Sequence, residues 1–425
     1  MFESVDPFAY EASLVERIAE LERGKSVAAA EQARVTAELD AVRRAREAAS
    51  GVPAARRGRG LGAEIALARH DSPNRGGRHL GLARALVHEM PHTLAALGCG
   101  ALSEWRATVI VRESACLSLA DRRRLDAEMC ADVAGLAGKG DKPIEADAKA
   151  IAYRLDPQAF VDRAVRAQSE RTVTVRPAPD TMTYVTALLP MAQGVSVYAA
   201  LKRVADTNGD GRSRGQVMAD TLVQRVTGAP AEVAVPIAVN LVLTDDTLFG
   251  GAATPGRIPG YGPVPAAIAC RLARDAVADE RSKATLRRLY RHPESGALVA
   301  MESRSRLFPQ GLARFIALRD DTCRTPYCDA PIRHTDHATA HARGGPTSAV
   351  NGLGECEACN YAKEAPGWRV HTFDDEGRRH RAEYLTPTGA HHESHAPPLL
   401  NDVVMFTPSA VETLMTNHLA GLVAA

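Results

Sequence analysis

Four cysteines near the C-terminus pose the first chemical question. "CRTPYC" places Cys323 and Cys328 with four residues between them, and "CEAC" places Cys356 and Cys359 with two between. Two short knuckles of this spacing suit a structural zinc site, in which four thiolates close a tetrahedron and leave no position for substrate. Such a site contributes on the order of 10 kcal/mol to the folding of a small module, and a module this short has little core of its own. A redox pair or a chance pair is the competing reading. A redox C-x-x-C belongs in a βαβ context, which this stretch lacks. Between the knuckles runs "IRHTDHATAHARGGPTSAVNG", too polar to be core alone. Asp336 and His337 set a carboxylate beside an imidazole, and Gly344-Gly345-Pro346 marks a tight turn with Asn351 just past it. Asn360 and Lys363 open a helix in "NYAKEAP". The expected order is strand, turn, strand, helix. Taken singly, each polar residue fits a zinc knuckle whose hairpin is merely polar; jointly they exceed what such a hairpin needs.

In this order the elements C-x4-C, Asp-His, Gly-Gly-x-Thr, Asn, C-x2-C-Asn-x2-Lys and Gly-Trp resemble the HNH endonuclease family, in its zinc-ribbon, ββα-metal form. The match runs from Cys323 to Trp368. The resemblance implies a metal-dependent endonuclease that hydrolyses DNA phosphodiester bonds, with double-stranded DNA as the expected partner. His337 would be the general base, with an intrinsic pKa near neutrality that suits it to activate water. Asp336 would hold the catalytic cation, and Asn351 would fix the hairpin and orient the His337 ring. Asn360 stands where the family usually places its last histidine, which makes this an HNN variant. An amide oxygen as second ligand favours Mg²⁺ or Mn²⁺ for catalysis, distinct from the structural zinc. Adjacent strand residues point to opposite faces, so a shared pocket requires an irregularity at Asp336-His337. Arg304, Arg306 and Lys363 are candidate contacts to nucleic acid, Lys363 standing equally as a surface lysine. The alternative is a non-catalytic zinc-stapled module that binds nucleic acid or protein.

Further upstream, "GRHLGLARALVHEMP" and "SEWRATVIVRESACLS" resemble the domain of unknown function that precedes HNH modules in the actinobacterial thirteen-E-twelve repeat family. That resemblance brings no activity with it. The fold class expected is therefore α+β: a mostly helical N-terminal region with a few β-hairpins, and a small zinc-stapled module.

The elements that must position these residues divide the chain. Asp6-Pro7 reads as a helix start, and a long helix fills residues 1–50. Leu14, Leu21, Ala28, Val35 and Val42 recur every seven residues along it, but Lys25 and Gln32 break the companion stripe. The helix either packs on its own domain or forms a homodimer. Residues 51–62 form a basic loop carrying Arg56, Arg57 and Arg59, either solvated or touching phosphates. Residues 63–290 read as a mainly helical domain with short strands. Within it, "HDSPNRGG" is too long for a helix-turn-helix turn. "RTVTVRPAPDTMTYVTALLP" reads as a hairpin and "VPIAVNLVLT" as a strand. "DTNGDG" begins like a calcium loop, but its twelfth position is Val217 instead of a bidentate Glu, so it reads as a polar turn. A hairpin linker over 291–310 leads into the module at 311–372, with Trp368 expected over the zinc ribbon and His334 and His341 exposed. The tail, 373–425, reads as partly disordered, and its His391, His392 and His395 are discounted as a metal group.

Composition excludes little. The formal charge is +1 over 425 residues, so bulk electrostatics name no partner. No stretch approaches the roughly 20 apolar residues that span a bilayer, and no signal-peptide core is evident. A cytoplasmic protein without membrane partners is expected, with stable disulfides disfavoured. Cys99, Cys116, Cys130 and Cys270 then read as buried small hydrophobes.

Overall fold

In the computed structural model the described residues are 7–231, 240–249, 251–278, 307–373 and 379–399. The first helix, α1 (Pro7–Ala49), follows the expected bounds. After a short 3₁₀ turn at Ala54–Arg56 come α2 (Leu61–Ala68), α3 (Pro73–His88), α4 (Pro91–Gly98), α5 (Glu104–Ser114), α6 (Leu119–Cys130) and α7 (Asp141–Leu155). The punctuation is chemical. Pro73 and Pro91 sit at helix starts, and Ser103 and Ser118 cap the next two through their side chains. The α4 N-terminus is capped from a distance. Fully buried Asp126 of α6 accepts from His92 N at 2.8 Å, Thr93 N at 2.7 Å and Thr93 Oγ1 at 2.6 Å, where the helix dipole favours an anion.

These helices form a bundle with two adjoining cores. One joins Leu102, Ile110, Leu125, Met129 and Ile144. The other seats α1 on α3 and α4 through Ala29, Ala30, Ala33 and Ala37. Helix α1 thus packs on its own domain, but with its alanine face. The seven-residue stripe points outward: Leu14, Leu21, Val35 and Val42 are exposed. Small residues let backbones approach, most closely where α2 crosses α3: a Cβ on Gly76 would lie 1.9 Å from the Gly62 carbonyl oxygen.

Helix α8 (Pro157–Ala167), the hairpin β1 (Thr172–Pro177) and β2 (Thr183–Leu188), α9 (Met191–Thr207) and α10 (Arg214–Thr227) follow. The hairpin takes the expected place. The polar turn also holds: Asp210 binds Arg212 between α9 and α10. This arm buries little beyond Val217 and Thr221. Of the strand expected over 235–244, Val242 makes one antiparallel bridge to Arg257; residues 232–239 lie outside the described residues. Then come α11 (Asp245–Phe249), a short pair β3 (Gly256–Ile258) and β4 (Gly262–Val264), and α12 (Ala266–Ala278). Residues 291–306 of the expected hairpin linker, with Arg304 and Arg306, lie outside the described residues.

The C-terminal module starts with α13 (Gln310–Asp320). Next are β5 (His334–His337), a 3₁₀ turn at His341–Arg343, β6 (Gly352–Glu355) and α14 (Glu357–Lys363). Beyond the expected boundary the chain continues in an antiparallel sheet of β7 (Arg369–Phe373), β8 (Arg381–Leu385) and β9 (His391–His395), in the order β7-β8-β9. Of the expected tail, residues 379–399 carry β8 and β9, residues 374–378 and 400–425 lie outside the described residues, and the 372/373 boundary falls inside β7. Val370, Ala382 and Tyr384 of this sheet cover Leu353 of β6. His391 and His395 pair with Glu383 and Glu393.

Bundle and module are in contact. Trp368 packs with Ala365 against Ala63 and Leu67 of α2, so it covers the bundle and not the zinc knuckles as expected. Buried Glu64 joins the two halves: Oε2 pairs with Arg43 at 2.7 Å, and Oε1 accepts from Thr388 in the β8–β9 turn. His70 stacks on Tyr327 at 4.7 Å. No described helix is long and apolar enough to cross a membrane.

Candidate functional site

Cys323, Cys328, Cys356 and Cys359 converge, all four buried, with their Sγ atoms within 4.8 Å of one another. Cys328 Sγ lies 3.8 Å from Cys356 Sγ and 3.6 Å from Cys359 Sγ. Disulfide sulfurs sit about 2.05 Å apart. A tetrahedron with Zn–S of about 2.3 Å has edges of about 3.8 Å, so these spacings fit a four-thiolate zinc site. Backbone amides complete the knuckles, as where Cys359 N donates to Cys356 Sγ at 3.5 Å, at the start of α14. Hydrogen bonding among the sulfurs splits their acidities. Cys323 draws Cys328 and Cys356 down, and the same contacts drive Cys323 and Cys359 up. A divalent cation holds all four as thiolates. The other cysteines differ: Cys130 is buried and its thiol is pushed up to about 11 by burial, but Cys99 is exposed, against expectation.

The Asp336-His337 pair stands at the end of β5. The β5–β6 register runs without a bulge, from His334 opposite Glu355 to His337 opposite Gly352. The expected irregularity is instead the strand's end: His337 is its last residue. At the last rungs of the ladder the two side chains approach, with Asp336 Oδ1 3.6 Å from His337 Nδ1. The His337 ring is buried against Phe308, and its Nε2 lies 2.9 Å from Thr347 Oγ1. Thr347 therefore orients the ring, a role the sequence reading gave to Asn351. Gly-Gly-x-Thr already contained Thr347, but nothing in the motif says which way its hydroxyl faces. Asn351 fixes the hairpin loop. It accepts from Thr339 N at 2.9 Å and donates to Thr339 O at 3.0 Å and Pro346 O at 2.8 Å. Gly345 is obligatory there, since a Cβ would sit 1.8 Å from Thr339 O.

Lys363 is not a surface lysine. Its side chain is 2% exposed and donates to Asp336 Oδ2 at 2.7 Å and to Glu364 Oε1 at 3.1 Å, with Glu355 Oε2 3.7 Å away. Its charge is turned inward, away from any phosphate in solution. Burial opposes that charge, but Glu355 and Asp336 outweigh it and raise Lys363 above the usual lysine range. Against the upward push of burial, Lys363 pulls Asp336 below the usual carboxylate range. Glu355, wholly buried, is pushed up to about 8 by burial despite Lys363. Burial lowers His337, so its ring is neutral near pH 7. The amide oxygen of Asn360 is buried without a hydrogen-bond partner, the state of a donor atom that a cation would satisfy. His341 is exposed, 5.7 Å from the His337 ring, and His334 is half-buried. Among the described residues, the four cysteines are the group of three or more His, Cys, Asp and Glu side chains placed to share a metal.

Beneath the site, Asp320 is completely buried between two arginines. Its Oδ1 meets Arg319 Nε at 2.7 Å and Arg324 at 3.0 Å, and its Oδ2 accepts from Gly354 N at 2.8 Å. Arg324 reaches on to Ser394 O at 2.8 Å. This triad ties α13, β6 and the three-stranded sheet together, and the sequence reading did not anticipate it.

The model of a domain of unknown function, DUF222, matches residues 19–320; the chain belongs to that family. Neither a curated protein nor a solved structure matches it. The matched region ends with α13. The four cysteines and the Asp336-His337 pair lie beyond it.

Proposed function

We propose that the chain is a metal-dependent endonuclease of the HNH type, acting on DNA phosphodiester bonds. One observation carries this reading: a buried, oriented imidazole and a carboxylate meet at the end of β5, within a hairpin-helix unit closed by four thiols. The Thr347 hydroxyl at Nε2 and Asp336 beside Nδ1 fix the ring of His337, which would serve as the base for water. Lys363 ties α14 to β5, clamping one Asp336 oxygen and leaving the other toward His337. Asp336 and Asn360 would hold Mg²⁺ or Mn²⁺, which supplies charge stabilisation at the phosphate and the leaving oxygen. Asn351 would fix the loop that carries Thr347, through its bonds to Thr339 and Pro346. Plasmid nicking by the full chain, with Mg²⁺ or Mn²⁺, tests the reading. His337→Ala should abolish cutting with the fold retained; undiminished cutting removes His337 from the chemistry.

One observation favours a second reading, a zinc-stapled module that binds nucleic acid or protein without catalysis: the Lys363 ammonium already occupies an oxygen of Asp336. Under that reading no metal supports nicking. For oligomerisation, the outward stripe of Leu14, Leu21, Val35 and Val42 supports a homodimer through α1. Light scattering on wild type and on Leu14→Ser/Leu21→Ser decides it, a mass of one chain for the wild type being the adverse result.

A further inference from the structure

A cleft of about 270 Å³ opens between the family domain and the module. Arg59, Gly60, Gly62 and Ala63 form one wall; Ala358 and Tyr361 of α14 form the other. Its volume lies just below the usual range of small-ligand sites, about 300–1,000 Å³: space for one nucleotide at most and too little for a duplex. Three features set its chemistry. Arg59 is exposed and has no carboxylate partner among the described residues. The Tyr361 ring is an aromatic face left 57% exposed on a small helix. The wall between them is glycine and alanine, a smooth apolar floor against which a flat ring can lie. The cleft also adjoins the site. Tyr361 follows Asn360 directly, and its ring lies 6.4 Å from that of His334. His334 shares a strand face with Asp336, two residues on. A strip of surface thus runs from Arg59 through Tyr361 and His334 to the Asp336 carboxylate.

We propose that this cleft holds one nucleotide of a single-stranded stretch, its base on Tyr361 and its phosphate on Arg59, next to the phosphodiester that Asp336 and His337 face. The proposal rests on the phosphodiesterase reading and gives the family domain a part in it: Arg59 comes from that domain. Stacking on an exposed aromatic beside a cation holds single strands with little sequence preference.

The test is fluorescence anisotropy of labelled dT12 and rU12 with the full, zinc-loaded chain and no added Mg²⁺ or Mn²⁺, so that nothing is cut. Tyr361→Ala and Arg59→Ala should each weaken binding about tenfold, and Tyr361→Phe should restore it. Arg59→Ala should also flatten the salt dependence by about 0.7 in log–log slope, one phosphate contact on a single strand. Loss of general folding would not produce that slope change. Binding of either oligonucleotide through these side chains upholds the proposal, and the tighter one names its source, DNA or RNA. Wild-type affinity and slope in both alanine variants, or no binding by the wild type, overturns it. Nicking separates the two claims. Cutting that survives both substitutions with binding unchanged sinks the cleft alone, whereas binding through Arg59 and Tyr361 without any cutting sinks the nuclease reading alone.

Discussion

In the bundle, Ile110, Leu125 and Ile144 are fully buried against other aliphatic side chains. In the module the equally buried Asp320 faces two guanidinium groups and a backbone amide. The module's own apolar cluster is five residues, too little for independent stability. Thiols, a charged triad and a borrowed wall of α2 make up the difference. The lesson is about what each region can spare. The bundle can lose a methyl group and stay folded, while the module depends on a few polar contacts that have no substitutes.

The largest expected effect strikes the thiol cluster. Cys356→Ser should release zinc and remove most of a metal contribution on the order of 10 kcal/mol. Limited proteolysis should then open the chain beyond residue 320 while the helical circular dichroism of the bundle persists; full zinc content with an unchanged melt would contradict the site. Next, Asp320→Ala strands two buried guanidinium groups and should cost about 3–5 kcal/mol in urea unfolding. An effect below 1 kcal/mol would mean that the triad is dispensable and the contrast false. Leu125→Ala in the bundle should cost about 3 kcal/mol and leave zinc content untouched.

Acid sharpens the comparison further. His380 is buried, accepts from Arg324 at 3.3 Å and donates Nε2–H to Val350 O at 2.7 Å. Burial, with Arg319 next in weight, depresses it to about 3. Unfolded, it binds a proton near pH 6.5. Its stabilising contribution is therefore complete above that value and drains away as pH falls toward 3, on the order of 2 kcal/mol by pH 5. The thiolates take up protons too, so the measurement is the difference in slope between wild type and His380→Gln; parallel curves would reject the assignment. The smallest effect belongs to the outer face of α1. Breaking the Arg17–Glu20 pair with Arg17→Ala should change stability by no more than about 0.5 kcal/mol.

How much of this was legible in the sequence varies by kind of signal. Spacing carried the four cysteines, because a chelate leaves a regular trace. The Asp6-Pro7 start and the alternating hairpin residues carried α1 and β1–β2, because capping and pleat are local. Packing partners were not legible. The leucines and valines of α1 looked like its contact face, yet Ala29, Ala30 and Ala33 make the contact with α3 and α4. Trp368 gave no hint that α2 would be its neighbour. Lys363 looked free because the carboxylates facing it, Asp336 and Glu355, lie on two strands that only the fold brings beneath it. Strands β8 and β9 were overlooked although "RAEYLTPTGAHHESH" alternates around a Thr-Gly turn; its histidines and proline obscured the pattern.

The hydrogen bond from Thr388 to Glu64 spans 324 residues, which imposes an order of events on biosynthesis. At about 5–20 residues per second, Glu64 leaves the ribosome roughly 15–65 s before its second partner exists. Arg43 is already present to claim one oxygen, so the bundle can close early with the other oxygen waiting. The last hairpin then arrives as a bolt for a door already hung, and a ribosome that stops short of Thr388 leaves a nascent chain with a finished helical half and an unlatched C-terminal half.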